Sequence, residues 1–186
     1  MAFSLPAPRR HMHTRSISCE GFLREDGLWD IEARIIDTKP FAYEEPFRGR
    51  REAGEHVHDM AVRLTIDRDM VVRGIEVTTG SAPYDACFGV ARHYAGLVGE
   101  RIGPGWRRAV QQCVGGTRGC THLRELLFPV ATVAYQTLSG WRAKDDFDES
   151  RPAEQGGRPY FIDGCAAWAA DGPVVARLYP EHAKRS

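Results

Sequence analysis

The chain has 186 residues, with 25 Lys and Arg against 25 Asp and Glu and a formal net charge of zero. Duplex binding draws on a basic excess, because phosphate neutralisation carries its affinity, so nucleic acid is not an expected partner. No apolar run reaches the roughly 18 to 20 residues of a membrane span, and residues 1–10 lack the apolar core of a signal peptide, so a cytoplasmic protein with no membrane partner is expected.

Residues 1–10 read as a disordered arm. Ser16 to Phe22 and Leu28 to Asp37 then flank Asp26-Gly27, a strong hairpin signal that sets Trp29, Ile31 and Ile35 on one face. Lys39 to Glu55, rich in Pro, Glu, Arg and Gly, reads as a surface loop. His58 to Asp67 and Val71 to Thr79 alternate again around Arg68-Asp69 and predict a second antiparallel pair. Pro83 suits the first turn of a helix, and apolar residues at helical spacing carry that helix from Tyr84 to Val98, with Gly99 as its cap. A shorter helix from Trp106 to Val114 stops at Gly115-Gly116. The longest helix starts at Gly119-Cys120-Thr121-His122-Leu123 and runs to Leu138. Its apolar face comprises Leu123, Leu126, Leu127, Val130, Val133, Ala134 and Leu138, and Pro129 is expected to bend it.

Residues 141–159 read as a flexible linker, and Tyr160 to Pro180 suits either helix or strand. The element order predicts an α+β fold, an antiparallel sheet of two hairpins packed on about three helices at one face. One domain is expected over residues 11–186: an N-terminal hairpin and loop (11–55), a core (56–138) and a linker with a C-terminal extension (139–186).

Chemistry-bearing residues gather at the ends of these elements, where sites collect. Cys120 and His122 open the longest helix, where free amides and the positive end of the dipole lower a thiol's pKa and attract anions. Two residues apart on an ideal helix they point to opposite sides, so they share one metal only if Cys120 is still in the non-helical cap. His58 opens a strand beside Asp59, which can orient an imidazole or ligate directly, and His56 is expected on the same face. Cys87 lies at a strand-to-helix turn. Five scattered cysteines suit metal ligation or a reactive thiol better than a disulfide framework, and Cys19 and Cys113 read as packing residues. Plainer readings stay open: Cys87 and Cys120 as core residues, His122 as a polar cap, His56 to Asp59 as a solvated strand end. Jointly, one or two His with two Cys suit zinc, ferrous iron or an iron-sulfur cluster.

The run His58 to Ile66, the hairpin after it, Cys87 before Gly96-Leu97-Val98-Gly99-Glu100-Arg101-Ile102, and Gly119-Cys120 with Leu123 and Glu125 resemble the iron-sulfur scaffold proteins of the IscU and NifU N-terminal type. The resemblance covers residues 56–138 and implies an IscU-like core whose ligand positions fall on His58, Cys87 and Cys120. Nearly the whole chain also resembles a bacterial family of unknown function, domain-of-unknown-function family 2889. That likeness runs through Asp26 to Asp30, Asp37-Thr38-Lys39, His58-Asp59-Met60, Gly119 to Leu123 and Asp163-Gly164-Cys165. It implies a small accessory or catabolic protein and carries no activity.

The favoured expectation is a mononuclear zinc or ferrous enzyme, of lyase or hydrolase type, with His58, Cys87 and Cys120 as ligands and a fourth position open to water or substrate. Asp59, His56 or His122 would move protons. Tyr84, Arg92 and Trp106 would line a pocket for a small-molecule substrate, an organic acid or ester, with aromatic ones included. Two alternatives are a carrier or scaffold for sulfur or an iron-sulfur cluster, and an accessory subunit of a catabolic enzyme complex with a structural metal. A homodimer or an enzyme-complex partner is compatible with each.

Overall fold

Strict alternation in four stretches of sequence becomes one antiparallel sheet. In the computed structural model, which describes residues 4–140, 158, 159 and 161–184, β1 (Thr14–Leu23) pairs with β2 (Trp29–Thr38) over their whole length. At the turn between them Gly27 takes φ 82°, the left-handed region a glycine enters without strain, and the Asp26 carboxylate accepts the Leu28 amide at 3.2 Å. β5 (His56–Ile66) pairs with β2 and with β6 (Val72–Ser81), giving the order β1-β2-β5-β6.

Because successive side chains point to opposite faces, Trp29, Ile31, Ala33 and Ile35 of β2 and Met60, Val62, Leu64 and Ile66 of β5 are all buried on one face. The other face carries Glu32, Arg34, Arg63 and Glu76, with Arg63 bonded to Glu32 at 2.7 Å. The apolar face is covered by α2 (Thr121–Gly140), which packs on β1, β2 and β5. Leu123, Leu126, Leu127, Val130 and Ala134 of α2 are fully buried, and each large side chain among them contributes about 1.5–3 kcal/mol on removal from water. Gly21 of β1 permits the closest approach, since a Cβ there would lie 2.7 Å from Cγ2 and 2.8 Å from Cβ of Thr137. A shorter helix, α1 (Trp106–Val114), packs against α2 and buries Trp106, Val110 and Val114. The fold is therefore α+β, with helices on one face of an antiparallel sheet.

Two expectations need correction. Lys39 to Glu55 is not wholly irregular, for β3 (Tyr43–Glu45) and β4 (Gly49–Arg51) form a small hairpin of their own, fixed where Arg48 in its turn pairs with Glu45. Residues 84–98 form two tight 3-10 segments, Asp85–Gly89 and Ala91–Leu97, in place of one α-helix. Gly89 and Gly96 lower helix propensity there, and Gly96 lets the Cys113 sulfur come where a Cβ would stand, 2.7 Å away.

The chain divides into two compact units, residues 1–140 and 141–186. The linker expected at 141–159 lies outside the described residues except for its last two. In the second unit the undecided segment is helical where it is regular: α3 (Pro173–Leu178) starts with proline in its first turn. The rings of Phe161, Trp168 and Tyr179 meet there at 4.7 to 5.9 Å between centroids, and Asp163 accepts the Ala170 amide at 2.8 Å. Among the described residues no helix is long and apolar enough to cross a membrane.

Candidate functional site

The buried stripe of β2 ends on a carboxylate. Alternation from Trp29 through Ile35 brings Asp37 onto the core face, where it is fully buried. A buried carboxylate needs partners, and Asp37 has four bonds. Arg15 on β1 donates Nε to Oδ1 at 2.8 Å and Nη2 to Oδ2 at 2.7 Å. His13 Nε2 lies 3.2 Å from Oδ1, and His58 Nδ1 lies 2.9 Å from Oδ2. Burial pushes the Asp37 pKa up, but the Arg15 guanidinium and then the two imidazoles outweigh burial and hold it at about 2. Asp37 is thus an anion at neutral pH and only accepts, so His58 donates through Nδ1 and its Nε2 lone pair points elsewhere.

His122 completes the cluster from above. Cys120 is the cap of α2: its carbonyl accepts the first helical bond, from the Arg124 amide at 2.9 Å, and the helix starts at Thr121. This is the geometry in which Cys120 and His122 can meet, and Cys120 Sγ lies 3.7 Å from His122 Nδ1 and 3.8 Å from Met60 Sδ. The His122 ring lies over the His58 ring, with centroids 3.7 Å apart and planes tilted 32°, and its Nε2 is 3.9 Å from Asp37 Oδ2. Burial lowers the pKa of both imidazoles, and for His122 the adjacent His58 lowers it further. Both rings are therefore neutral around pH 7, the form that ligates metals. Among the described residues, one donor atom each from Asp37, His58 and His122 all lie within 4.8 Å of one another.

The set that converges differs from the expected ligands. His58 is in it, while Cys87 and Cys120 are not, and Asp37 and His122 take their places. Cys120 stays alongside through His122. Cys87 lies in the 3-10 turn after β6, near enough to Cys120 for their charges to interact, with burial raising its pKa. His56 and Asp59 are on the other face. A bulge pairs Thr38 with His56 and leaves Val57 over, so His56 turns away from His58 and bonds Asp59 at 3.2 Å. Asp59 is also gripped by Arg34 through two bonds of 2.7 Å on that open face. The carboxylate that orients His58 is Asp37, not its sequence neighbour.

The three expected pocket residues separate. Trp106 is a core residue, 4% exposed, whose Nε1 donates to the Leu127 carbonyl at 2.9 Å. Arg92 is exposed and its Nε meets the neighbouring His93 ring at 3.3 Å. Tyr84 is exposed, in edge contact with Phe47. Asp37, Arg15 and His13 were absent from the expected set. Asp37 had a sequence signal: an ionisable residue falling in register with the apolar positions 29, 31, 33 and 35. For His13 and Arg15 no comparable signal exists.

No curated protein and no solved structure matches the chain. A family pattern does match, over residues 13–136, which takes in the sheet, α1, most of α2 and every residue of the Asp37 cluster. The chain belongs to the family described as protein of unknown function (DUF2889).

Proposed function

We propose that the protein is a metal-dependent enzyme of hydrolase or lyase type that holds one zinc or ferrous ion on Asp37, His58 and His122 and acts on a small molecule. The observation that carries it is the convergence of one carboxylate and two neutral imidazoles within 4.8 Å on the buried face of a sheet. Donors around a tetrahedral first-row ion stand roughly 3.3–3.5 Å apart for bonds of about 2.0–2.2 Å. Asp37 Oδ2 stands 3.9 Å from His122 Nε2, near that spacing, and ligation by His58 through Nδ1 would put the ion in place of the proton that Nδ1 now shares with Oδ2 at 2.9 Å. Two histidines and one carboxylate are a donor set of catalytic zinc and of non-haem ferrous iron, and they leave positions for water and substrate.

The ion would supply a Lewis acid that polarises a carbonyl and lowers the pKa of bound water. The protein's own part is preorganisation. Arg15 holds Asp37 by both oxygens and keeps it ionised. Asp37 fixes the His58 ring, and the first turn of α2 fixes His122 over it. Cys120 Sγ lies beside that ring, 3.7 Å from His122 Nδ1. The donor set lacks a thiolate, so we rank a cluster carrier below the enzyme.

Cobalt substitution tests the reading. Ligation by Asp37, His58 and His122 predicts visible d–d bands with no near-ultraviolet thiolate-to-cobalt band. A strong thiolate band would return the site to Cys87 and Cys120, and no cobalt spectrum at all would remove the metal.

A further inference from the structure

Two sulfur atoms and a ring nitrogen meet beside the Asp37 cluster, and the Asp37 centre uses neither sulfur. Met60 follows His58 by two residues on β5, so the period of the strand keeps it on the same face of the sheet, where its side chain is fully buried. Its thioether meets the cap of α2: Cys120 Sγ lies 3.8 Å from Met60 Sδ and 3.7 Å from His122 Nδ1. Bonds of about 2.3 Å to sulfur and about 2.0–2.1 Å to nitrogen, at angles between tetrahedral and trigonal, set sulfur and nitrogen roughly 3.5–3.8 Å apart and two sulfurs roughly 3.8–4.0 Å apart. Both contacts of Cys120 fall within those ranges. Cys120 and His122 are half-buried, so an ion can reach the thiol and the ring from solvent while the thioether waits on the core side.

From these contacts we propose a second, soft metal site, in which Cys120 Sγ, Met60 Sδ and His122 Nδ1 hold a cuprous ion. The thioether decides which ion. Zinc takes thiolate, imidazole and carboxylate, and a cupric ion takes tetragonal nitrogen and oxygen donors or two imidazoles with a thiolate, whereas thiolate and thioether together select Cu(I). As the ion binds, the Cys120 thiol releases its proton to solvent and a sulfur–copper bond forms; copper enters and stays as Cu(I), so no electron moves. The Asp37 centre draws on the same ring through Nε2. A neutral imidazole carries one lone pair, on one nitrogen at a time, so His122 serves one of the two ions. The soft site stands without the Asp37 centre, and where both form they compete for His122.

The test is anaerobic titration of the full chain, stripped of metal, with Cu(I) against a coloured cuprous chelator, together with copper-edge X-ray absorption to count sulfur neighbours. Wild type is expected to take one tightly held Cu(I) with two sulfur neighbours and one nitrogen. Met60→Leu, which keeps the volume of the core, should weaken binding at least about tenfold and leave one sulfur, since even partners behind a ligand are worth about 10–100-fold in metal affinity. Cys120→Ser should weaken it at least as much, and Met60→Leu should leave zinc content unchanged. No Cu(I) held against the chelator, or affinity and sulfur count equal in wild type and both variants, would overturn the soft site, the second result by placing copper on the other cysteines. Zinc content, measured on the same preparations, keeps the two sites apart: copper binding of the expected pattern in a protein that takes no zinc would sustain the soft site and remove the Asp37 centre.

Discussion

Asp37→Asn is the substitution whose consequences the structure fixes most closely. The side chain keeps its shape and loses its charge, leaving Arg15 opposite an amide. The Asp37 pKa falls from the ordinary 3.8 to about 2 in the folded chain. At about 1.36 kcal/mol per pH unit that gap is worth about 2 kcal/mol of stability. Removing one partner of a fully buried ion pair costs about 3–5 kcal/mol, but the Arg15 side chain is 39% exposed and keeps part of its hydration, so the loss stays near the lower figure. The sign follows from a depressed carboxylate: the contribution is complete above pH 3.8 and disappears as pH falls toward 2. His58 and His122, also depressed, lose stability in an earlier window, as pH drops below 6.5 toward their folded values. Urea unfolding of chelator-treated protein at pH 7, 5 and 3 checks this. Wild type should exceed Asp37→Asn by about 2 kcal/mol at pH 7 and 5, and the difference should narrow at pH 3. A difference under about 0.5 kcal/mol at pH 7, or one that does not change with pH, would refute the buried ion pair.

Other substitutions probe separate parts of the account. Gly21→Ala puts a Cβ into Thr137 and should cost about 1–3 kcal/mol in urea unfolding, largely recovered in the double variant with Thr137→Gly; equal losses in both would place the clash elsewhere. Trp106→Phe removes the bond to the Leu127 carbonyl and should lower stability by about 1–2 kcal/mol with zinc content unchanged, and a loss of zinc would restore Trp106 to the site. Cys87→Ser should leave zinc stoichiometry intact, because Cys87 is outside the converging group; a zinc-free Cys87→Ser protein would mean that the thiol set expected from the sequence is the real one.

Most of the sheet could be read in advance because its signal is local. Ile31, Ile35, Val62 and Leu64 alternate with polar residues, and one period of two puts them all in the core. The long helix was legible for the same reason, through Leu123, Leu127, Val130 and Ala134. The site was only half legible. His58 and His122 stand at element ends, but their shared partner Asp37 comes from a strand 21 residues earlier than His58. Only the sheet register, which pairs Asp37 with His58, brings them together. The single extra residue at Val57 reverses His56, and a bulge leaves no pattern in composition or period. Cys87, a cysteine at a turn, looks chemical in sequence, while in space the donors that gather with His58 are a carboxylate and a second imidazole.

Metal content decides the central claim. Protein purified without a metal-affinity tag, alongside His58→Ala and His122→Ala, should be analysed for zinc and iron per chain. Wild type should carry about one ion per chain, and each variant should lose it, since removing one of three ligands forfeits the site. A metal-free wild type after supplementation, or a full ion retained in both variants, would contradict a centre built on Asp37, His58 and His122.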